Sequence, residues 1–340
     1  MARRAGVSIG TVSNALNRPD RVTPATRARV LAAVEELGYV RNEAARALRA
    51  GGSRTVGLVV LDVANPFFTD VASGAESVAD RHNTLVMLCN SGEDVARERR
   101  HLDHLEEQRV QGILITPVTT DNPRLDRLRQ RGIPVVLVDR ASGQGGGCSV
   151  GVDDVLGGRL GGIHLLEQGH RSLAFVGGPL TLPQVTDRLA GLRNAITEAP
   201  GAGLEIVETP VLTVAAGRQA GSELAARQPD KRPTGILCAN DLLALGVLQS
   251  MTSAGLRVPE DMALVGYDDI EFAAAAAVPL SSVRQPRELL GRTAAELLFE
   301  EITDGSKHRH RYVGFQPELA VRRSSLHTRT DADRSRHRHG

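Results

Sequence analysis

Four short runs in this 340-residue chain carry hydroxyl-binding groups, two of them beside aromatic rings. Asn65-Pro66-Phe67-Phe68, Asp139-Arg140, Asn240-Asp241 and Tyr267-Asp268-Asp269 each follow an apolar stretch that reads as a strand. Carboxylates, amides and a guanidinium supply paired donors and acceptors, and aromatic faces take C–H groups, a combination that suits a sugar. Phe67 and Phe68 also fit plain core packing, although the chain has only six Phe and no Trp. Near the start, Asn14 carries an amide able to pair bidentately with adenine, and Ile9 can touch a thymine methyl. Their plainer roles are a surface Asn on a helix and an Ile packed against the next helix.

Catalysis is poorly served. No G-x-G-x-x-G follows the first strand, and there is no P-loop and no G-x-S-x-G. Asp268 and Asp269 are sequence neighbours whose side chains diverge, so no catalytic residue and no enzyme is expected. Cys89, Cys148 and Cys238 are odd in number and form no C-x-x-C, which argues for buried thiols. His308 and His310, read together with the tail histidines His327, His337 and His339, lack a rigid scaffold; neither a metal nor a cofactor is expected.

The net charge of +1 conceals an asymmetry. Residues 1–54 hold ten Arg against four acids, +6, and the remainder carries −5. A basic head suits a polyanion, because each neutralised phosphate releases condensed counterions. Within that head, Ala2 to Ala5 ends in Gly6, and Ser8 caps a helix over 9–16 with Val12 and Leu16 on one face. Thr23-Pro24 opens a third helix whose Val30, Val34 and Leu37 share a face and which stops at Gly38. This is a helix-turn-helix layout, with Ile9, Gly10, Thr11, Ser13 and Asn14 facing outward from its second helix. Residues 41–50 form another basic stretch, too short for a stable isolated helix, loosened by Gly51-Gly52-Ser53.

From Val56 onward, strand patterns at 56–61, 85–88, 112–115, 134–138, 173–176, 206–207, 235–238 and 263–265 alternate with helix-length segments. Strict alternation predicts doubly wound parallel sheets, and about 270 residues of it predicts two of them. Ligands in such folds sit beyond the carboxyl ends of the strands, where the four polar runs fall.

These residues resemble the lactose-repressor (LacI/GalR) family of bacterial transcription regulators. The marks are Ala5-Gly6-Val7-Ser8 with Thr11-Val12-Ser13, Glu36-Leu37-Gly38-Tyr39, Asn65-Pro66-Phe67-Phe68, Asn240-Asp241 with Leu245-Gly246, Gly266-Tyr267-Asp268-Asp269 and Pro317-Glu318-Leu319, and they run to about Ser324. The resemblance implies an α/β protein with an all-α helix-turn-helix head and a two-lobed, type I periplasmic-binding-protein-like body. Its implied segments are a head at 1–40, a hinge at 41–54, a body at 55–323 and a disordered tail at 324–340. The first lobe would be about 55–153 and 284–311, the second about 154–283 and 312–323.

It further implies a cytoplasmic, sugar-controlled repressor that acts as a homodimer on double-stranded operator DNA, with no membrane partner. The alternative is a cytoplasmic sugar binder without productive DNA binding. By matching motif, Ile9, Gly10 and Asn14 fall at base-reading positions, with Ser8, Thr11, Ser13 and Asn17 beside them. In the hinge, Asn42, Ala45, Arg46 and Leu48 are the expected contacts, Leu48 as a minor-groove wedge. Effector positions are Asn65, Phe67, Phe68, Asp139, Arg140, Arg188, Asn240, Asp268 and Gln285, a set more like the ribose-type sugar binders and fitted to a pentose or hexose. This chain departs from the pattern at Leu212, where many sugar-binding members carry an aromatic, and at Arg41, where the hinge usually opens with Pro. The first helix has barely one turn, which leads to the expectation that translation starts upstream of Met1.

Overall fold

The structure, a computed structural model, describes residues 1–39, 53–119, 121–140 and 146–326. The expected hinge contacts Asn42, Ala45, Arg46 and Leu48, and the tail beyond Leu326, lie outside these residues. The chain divides into two units, Met1–Ser53 and Arg54–Gly340.

In the first unit, α1 (Ala2–Ala5), α2 (Ile9–Asn17) and α3 (Pro24–Glu36) follow the anticipated caps. Gly6 at φ 64 makes the left-handed turn between α1 and α2, a conformation that costs any residue with a Cβ. The Ser8 side chain accepts from the Thr11 amide at 3.0 Å and the Thr23 side chain from the Thr26 amide at 3.3 Å, each satisfying one of the orphan donors of a helix start. The core is Ala5, Val12, Ala15, Val30 and Ala33, with Leu16, Val22 and Val34 packed around it. Leu37 does not join them: α3 has ended by then, Leu37 is its 51% exposed cap, and Ala33 completes the face instead.

The second unit holds two six-stranded sheets. The first runs β11-β5-β4-β3-β1-β2 and the second β12-β10-β9-β8-β6-β7. In chain order the strands are β1 (Thr55–Val60), β2 (Leu85–Asn90), β3 (Ile113–Ile115), β4 (Val135–Val138), β5 (Ser149–Val152), β6 (Ser172–Val176), β7 (Gly203–Val207), β8 (Gly235–Cys238), β9 (Ala263–Asp268), β10 (Ser281–Arg284), β11 (Tyr312–Phe315) and β12 (Glu318–Ala320). The helices are α4 (Pro66–Arg81), α5 (Val95–Glu107), α6 (Pro123–Gln130), α7 (Asp154–Glu167), α8 (Pro183–Thr197), α9 (Val214–Ala225), α10 (Asp241–Ser253), α11 (Glu271–Ala275) and α12 (Arg287–Asp304).

Pairing is parallel except that β12 runs antiparallel to β10, so strict β–α alternation fails at the second sheet's edge. Two expected boundaries also move. Tyr312–Phe315 pairs with β5 in the first sheet, so residues 312–315 belong to the first lobe and the chain returns to the second only afterwards. Ser324 and Ser325 are fully buried rather than part of a loose tail: Ser324 Oγ donates to the Leu264 carbonyl, and Ser325 Oγ meets His164 Nε2 at 2.7 Å.

Three helix pairs cross where both partners carry a glycine. A Cβ on Gly158 of α7 would lie 1.9 Å from the Arg188 carbonyl of α8, and one on Gly191 would lie 1.9 Å from the Val155 carbonyl. Gly74 and Gly291 do the same for α4 and α12, and Gly217 and Gly246 for α9 and α10. Backbone thus packs on backbone, and any added carbon must push the helices apart. Gly158→Ala is expected to cost about 1–3 kcal/mol in urea unfolding, the range for overpacking. Gly203→Ala, where nothing lies within 4 Å, should be near neutral; equal effects would show that the crossing tolerates a methyl group.

Candidate functional site

The carboxyl ends of both sheets face a cleft between the lobes. It narrows to a cavity whose empty space, counted out to its open mouth, is about 450 Å³. Seven of the nine expected effector residues line it: Asn65, Phe67 and Phe68 at the start of α4, Asp139 after β4, Arg188 on α8, Asn240 before α10, and Asp268 ending β9. Asn65 and Asn240 are also helix caps, their side-chain oxygens accepting from the amides of Phe67 and Leu243. The same residues that start the helices therefore face the cleft. The Phe67 and Phe68 rings stand edge to face, 5.0 Å apart.

Arg140 and Gln285 are buried one step behind. Arg140 Nη2 donates to Gln184 Oε1 at 2.9 Å, and Gln285 Nε2 donates to Asp268 Oδ1 at 2.8 Å. They orient residues of the wall rather than form it. Asp241 and Asp269, which share the polar runs, also turn elsewhere. Asp241 accepts from Ser282 Oγ and the Ile270 amide, while Asp269 pairs with Arg284 and Arg322. Tyr267 is fully buried beneath the Arg188 guanidinium, whose carbon sits 3.7 Å from the ring centroid.

Residues absent from the sequence reading complete the lining: Leu61, Asp62, Glu93 and Gln184. Asp62 stands two residues past β1 and was within reach of a strand-end search. Gln184 lies inside α8 and Glu93 in a loop after β2, with no local signal to mark either. Leu212, the departure from the aromatic pattern, does line the cavity, leaving Phe67 and Phe68 as its aromatic surfaces.

Arg188 is the hub. Its Nε donates to Asp154 Oδ1 at 2.8 Å and its Nη1 to the Ala239 carbonyl at 2.7 Å, while Asp268 Oδ1 lies 3.7 Å away. Burial opposes its charge, but the Asp154 carboxylate, with Tyr267, Asp268 and Asp139, outweighs burial and raises its pKa. The lobes are bridged by Asn65 Nδ2 donating to Asp268 Oδ2 at 3.2 Å and by Gln184 Nε2 donating to Asp139 Oδ2 at 3.0 Å.

Burial, then repulsion from Asp154, pushes the Asp139 carboxyl up to about 7. Burial and Asp62 push Glu93 up to about 7 as well, and burial raises Asp268. Asp139 Oδ1 is buried with no hydrogen-bond partner among the described residues. Glu93, Asp139 and Asp268 also sit at positive φ, at 59°, 57° and 101°, which costs a non-glycine residue about 1–3 kcal/mol and clusters at ligand sites. Strained backbone, an unpaired acceptor and rings converge on one small space.

In the first unit, Ile9 is 82% exposed, which removes its plainer reading as a packing residue. Ser8 Oγ caps α2 and meets Thr11 Oγ1 at 2.9 Å, and Asn17 Nδ2 donates to the Ser13 carbonyl at 2.9 Å. Asn17 Nδ2 also donates to Ser13 Oγ at 3.4 Å, so all four side chains are engaged locally. Among the described residues the Asn14 side chain makes no hydrogen bond, and a Cβ on Gly10 would meet only Ser8 Oγ at 3.7 Å. Among the described residues of the expected DNA-reading set, Ile9, Gly10 and Asn14 are thus the ones left free for an outside partner.

Residues 1–42 match the model of bacterial regulatory proteins, lacI family, and residues 163–325 that of a periplasmic binding protein-like domain. The chain is 33% identical over 333 residues to the HTH-type transcriptional repressor PurR of Aliivibrio fischeri (strain MJ11), covering 96% of this chain and 97% of that protein. Among solved structures it is similar to the transcriptional regulator CelR–cellobiose complex, at 34% identity, TM-score 0.70, and 95% and 98% coverage. It is also similar to the lac repressor dimer bound to operator and the anti-inducer ONPF, at 28% identity, TM-score 0.82, and 96% and 97% coverage. The capped head, the paired sheets and the full-length likeness agree: the chain belongs to the lacI family of bacterial regulatory proteins and is a transcriptional regulator.

Proposed function

We propose that the chain is a repressor whose hold on double-stranded operator DNA is set by a pentose or hexose bound between the lobes. The observation that carries the DNA half is the free Ile9, Gly10 and Asn14 face of α2. The observation behind the sugar half is the acceptor-rich pocket with its two rings. Asp139, Glu93 and Asp268 accept hydrogen bonds from hydroxyls, Arg188 and Asn240 donate, and Phe67 and Phe68 pack on C–H faces. The cellobiose named in the CelR complex supports a sugar, while its identity here rests on the pocket.

Signal transmission rests on the interlobe bonds. A sugar that competes for Asp268 and Asp139 replaces Asn65 and Gln184 as their partners and shifts the lobes' relative populations. That shift reaches DNA through residues 41–54, the proposed hinge, with residues 1–40 as the head. A homodimer is supported by edge strand β2, which exposes Leu85 and Met87 on one face, apolar surface that a second copy can cover. A catalytic role is not part of this reading: Asp269 is tied to Arg284 and Arg322 outside the cavity and forms no acid pair with Asp268. Its place of work is the cytoplasm, where operator DNA is, and no helix among the described residues is long and apolar enough to cross a membrane.

Asn14→Ala should cost about 1–3 kcal/mol on operator and little on random DNA in anisotropy titrations. Equal losses on both would assign Asn14 to the phosphate backbone, and no operator binding at all by the unaltered chain would favour a sugar binder without productive DNA contact. Arg188→Lys keeps the charge but loses the planar fork, so the sugar response should disappear while operator affinity stays. Undiminished sugar affinity by calorimetry would remove Arg188 from the pocket's chemistry.

The pH dependence has a defined sign. Because Asp139 at about 7 lies above its ordinary 3.8, its contribution to stability is full below about pH 4 and is lost as pH rises through 7. Asp139→Asn should flatten that fall in melting temperature between pH 4 and 7. Sugar hydroxyls that donate to Asp139 need the carboxylate, so binding should tighten and release protons as pH rises through 7. A proton count of zero in calorimetry across two buffers would contradict this contact.

A further inference from the structure

Away from the cleft, four side chains from three elements meet at one edge of the first sheet. Cys148 directly precedes β5, and His308 and His310 lead into β11. The two strands pair in parallel with Tyr312 opposite Ser149, so their entrances lie side by side. Glu301 reaches the same point from the last turn of α12. Cys148 Sγ lies 3.0 Å from His308 Nε2 and 3.8 Å from His310 Nδ1, and His310 Nδ1 lies 3.8 Å from Glu301 Oε2. All four ligand atoms fall within 4.8 Å of one another.

Burial grades across the group. Cys148 is buried, Glu301 and His308 are half-buried, and His310 is exposed. Glu301 Oε2 is itself buried and has no hydrogen-bond partner among the described residues. A carboxylate oxygen in that condition costs free energy unless a cation meets it. The Cys148–His308 hydrogen bond and the long His310–Glu301 pair at 3.8 Å account for two contacts and still leave Glu301 Oε2 without a hydrogen bond.

We propose that Cys148, Glu301, His308 and His310 form a closed four-ligand site for a divalent transition-metal ion, Zn²⁺ above all. One thiolate and two imidazoles select a borderline-soft ion over Mg²⁺ or Ca²⁺, and four protein ligands match tetrahedral structural sites. Bonds of about 2.0–2.3 Å in a tetrahedron separate ligand atoms by about 3.3–3.7 Å, so the group closes on an ion with movements of about 1 Å or less. The ion would clamp the β5–β11 edge to the end of α12. That helix begins at Arg287, whose guanidinium donates to the Asp268 and Asp269 carbonyls, so the clamp fixes the far end of an element that starts beside the pocket. By sequence alone, His308 and His310 group with the tail histidines and no metal is expected. Their partner Cys148 lies 160 residues from His308 in sequence, which no spacing motif shows.

The test uses the full chain, stripped with a chelator and titrated with Co²⁺ and then Zn²⁺. The expected result is one equivalent of Co²⁺ with the intense visible bands of a tetrahedral ion and a near-ultraviolet thiolate charge-transfer band, both removed by Zn²⁺. His310→Asn, at an exposed position that folding does not need, should weaken binding by more than the roughly 10–100-fold that loss of an outer-shell partner costs. Cys148→Ser should abolish the charge-transfer band, and replacing His327, His337 and His339 together with Ala should leave one-to-one binding intact. A weak octahedral spectrum, or binding that survives both Cys148→Ser and His310→Asn but fails in the triple tail variant, would overturn the site.

Discussion

A guanidinium buried to 4% exposure must find its counter-charge inside the protein, and the way Arg188 does so arranges the pocket. An unpaired buried charge costs several kcal/mol, more than any hydrogen bond returns on its own. Arg188 meets the requirement with Asp154, the Ala239 carbonyl, the Tyr267 face and the neighbouring Asp268. They come from three different elements, so the charge pins α7, β8's exit and β9 together. The glycine crossing makes this reach possible. Gly158 lets α7 lie on the Arg188 carbonyl itself, and Gly157 leaves room for the Tyr267 hydroxyl, where a Cβ would come within 2.0 Å.

The acids around Arg188 outnumber it, and burial decides their state. With Asp139 and Glu93 raised to about 7, the pocket near neutrality holds its carboxyls partly protonated and partly as acceptors awaiting donors. A polyhydroxyl ligand supplies those donors without bringing a charge that would need burying. The interlobe hydrogen bonds from Asn65 to Asp268 and from Gln184 to Asp139 use the same acceptors. On the proposed reading, ligand binding and lobe contact draw on one set of atoms, which would let a small neutral molecule bias a large movement.

Much of this was legible in the chain. Polar residues directly after apolar strands mark the cleft because parallel sheets end there, and caps such as Ser8 and Thr23 mark helix starts because orphan amides need acceptors. What escaped notice lacked a local signal. Strands β5, β10, β11 and β12 are short edge or near-edge segments carrying Ser, Gly and charge in place of an apolar run. Arg140 and Gln285 sit among the right neighbours, but whether such a side chain faces the cavity or a wall residue depends on packing across the lobes. Leu37 kept the periodicity of its helix past the point where the helix ended. The Cys148, Glu301, His308 and His310 group exists only because two strands from distant parts of the chain pair in parallel.

The most direct measurement is a double-mutant cycle across the lobes, reading the change in operator affinity that saturating sugar produces in full chains carrying Asn65→Ala, Asp268→Asn or both. If the shared acceptor transmits the signal, the two substitutions are coupled by at least about 0.5 kcal/mol, the lower bound for side chains in direct contact. Strictly additive effects on the sugar response would contradict it, leaving the Asn65–Asp268 contact as packing between lobes and not the link between ligand and DNA.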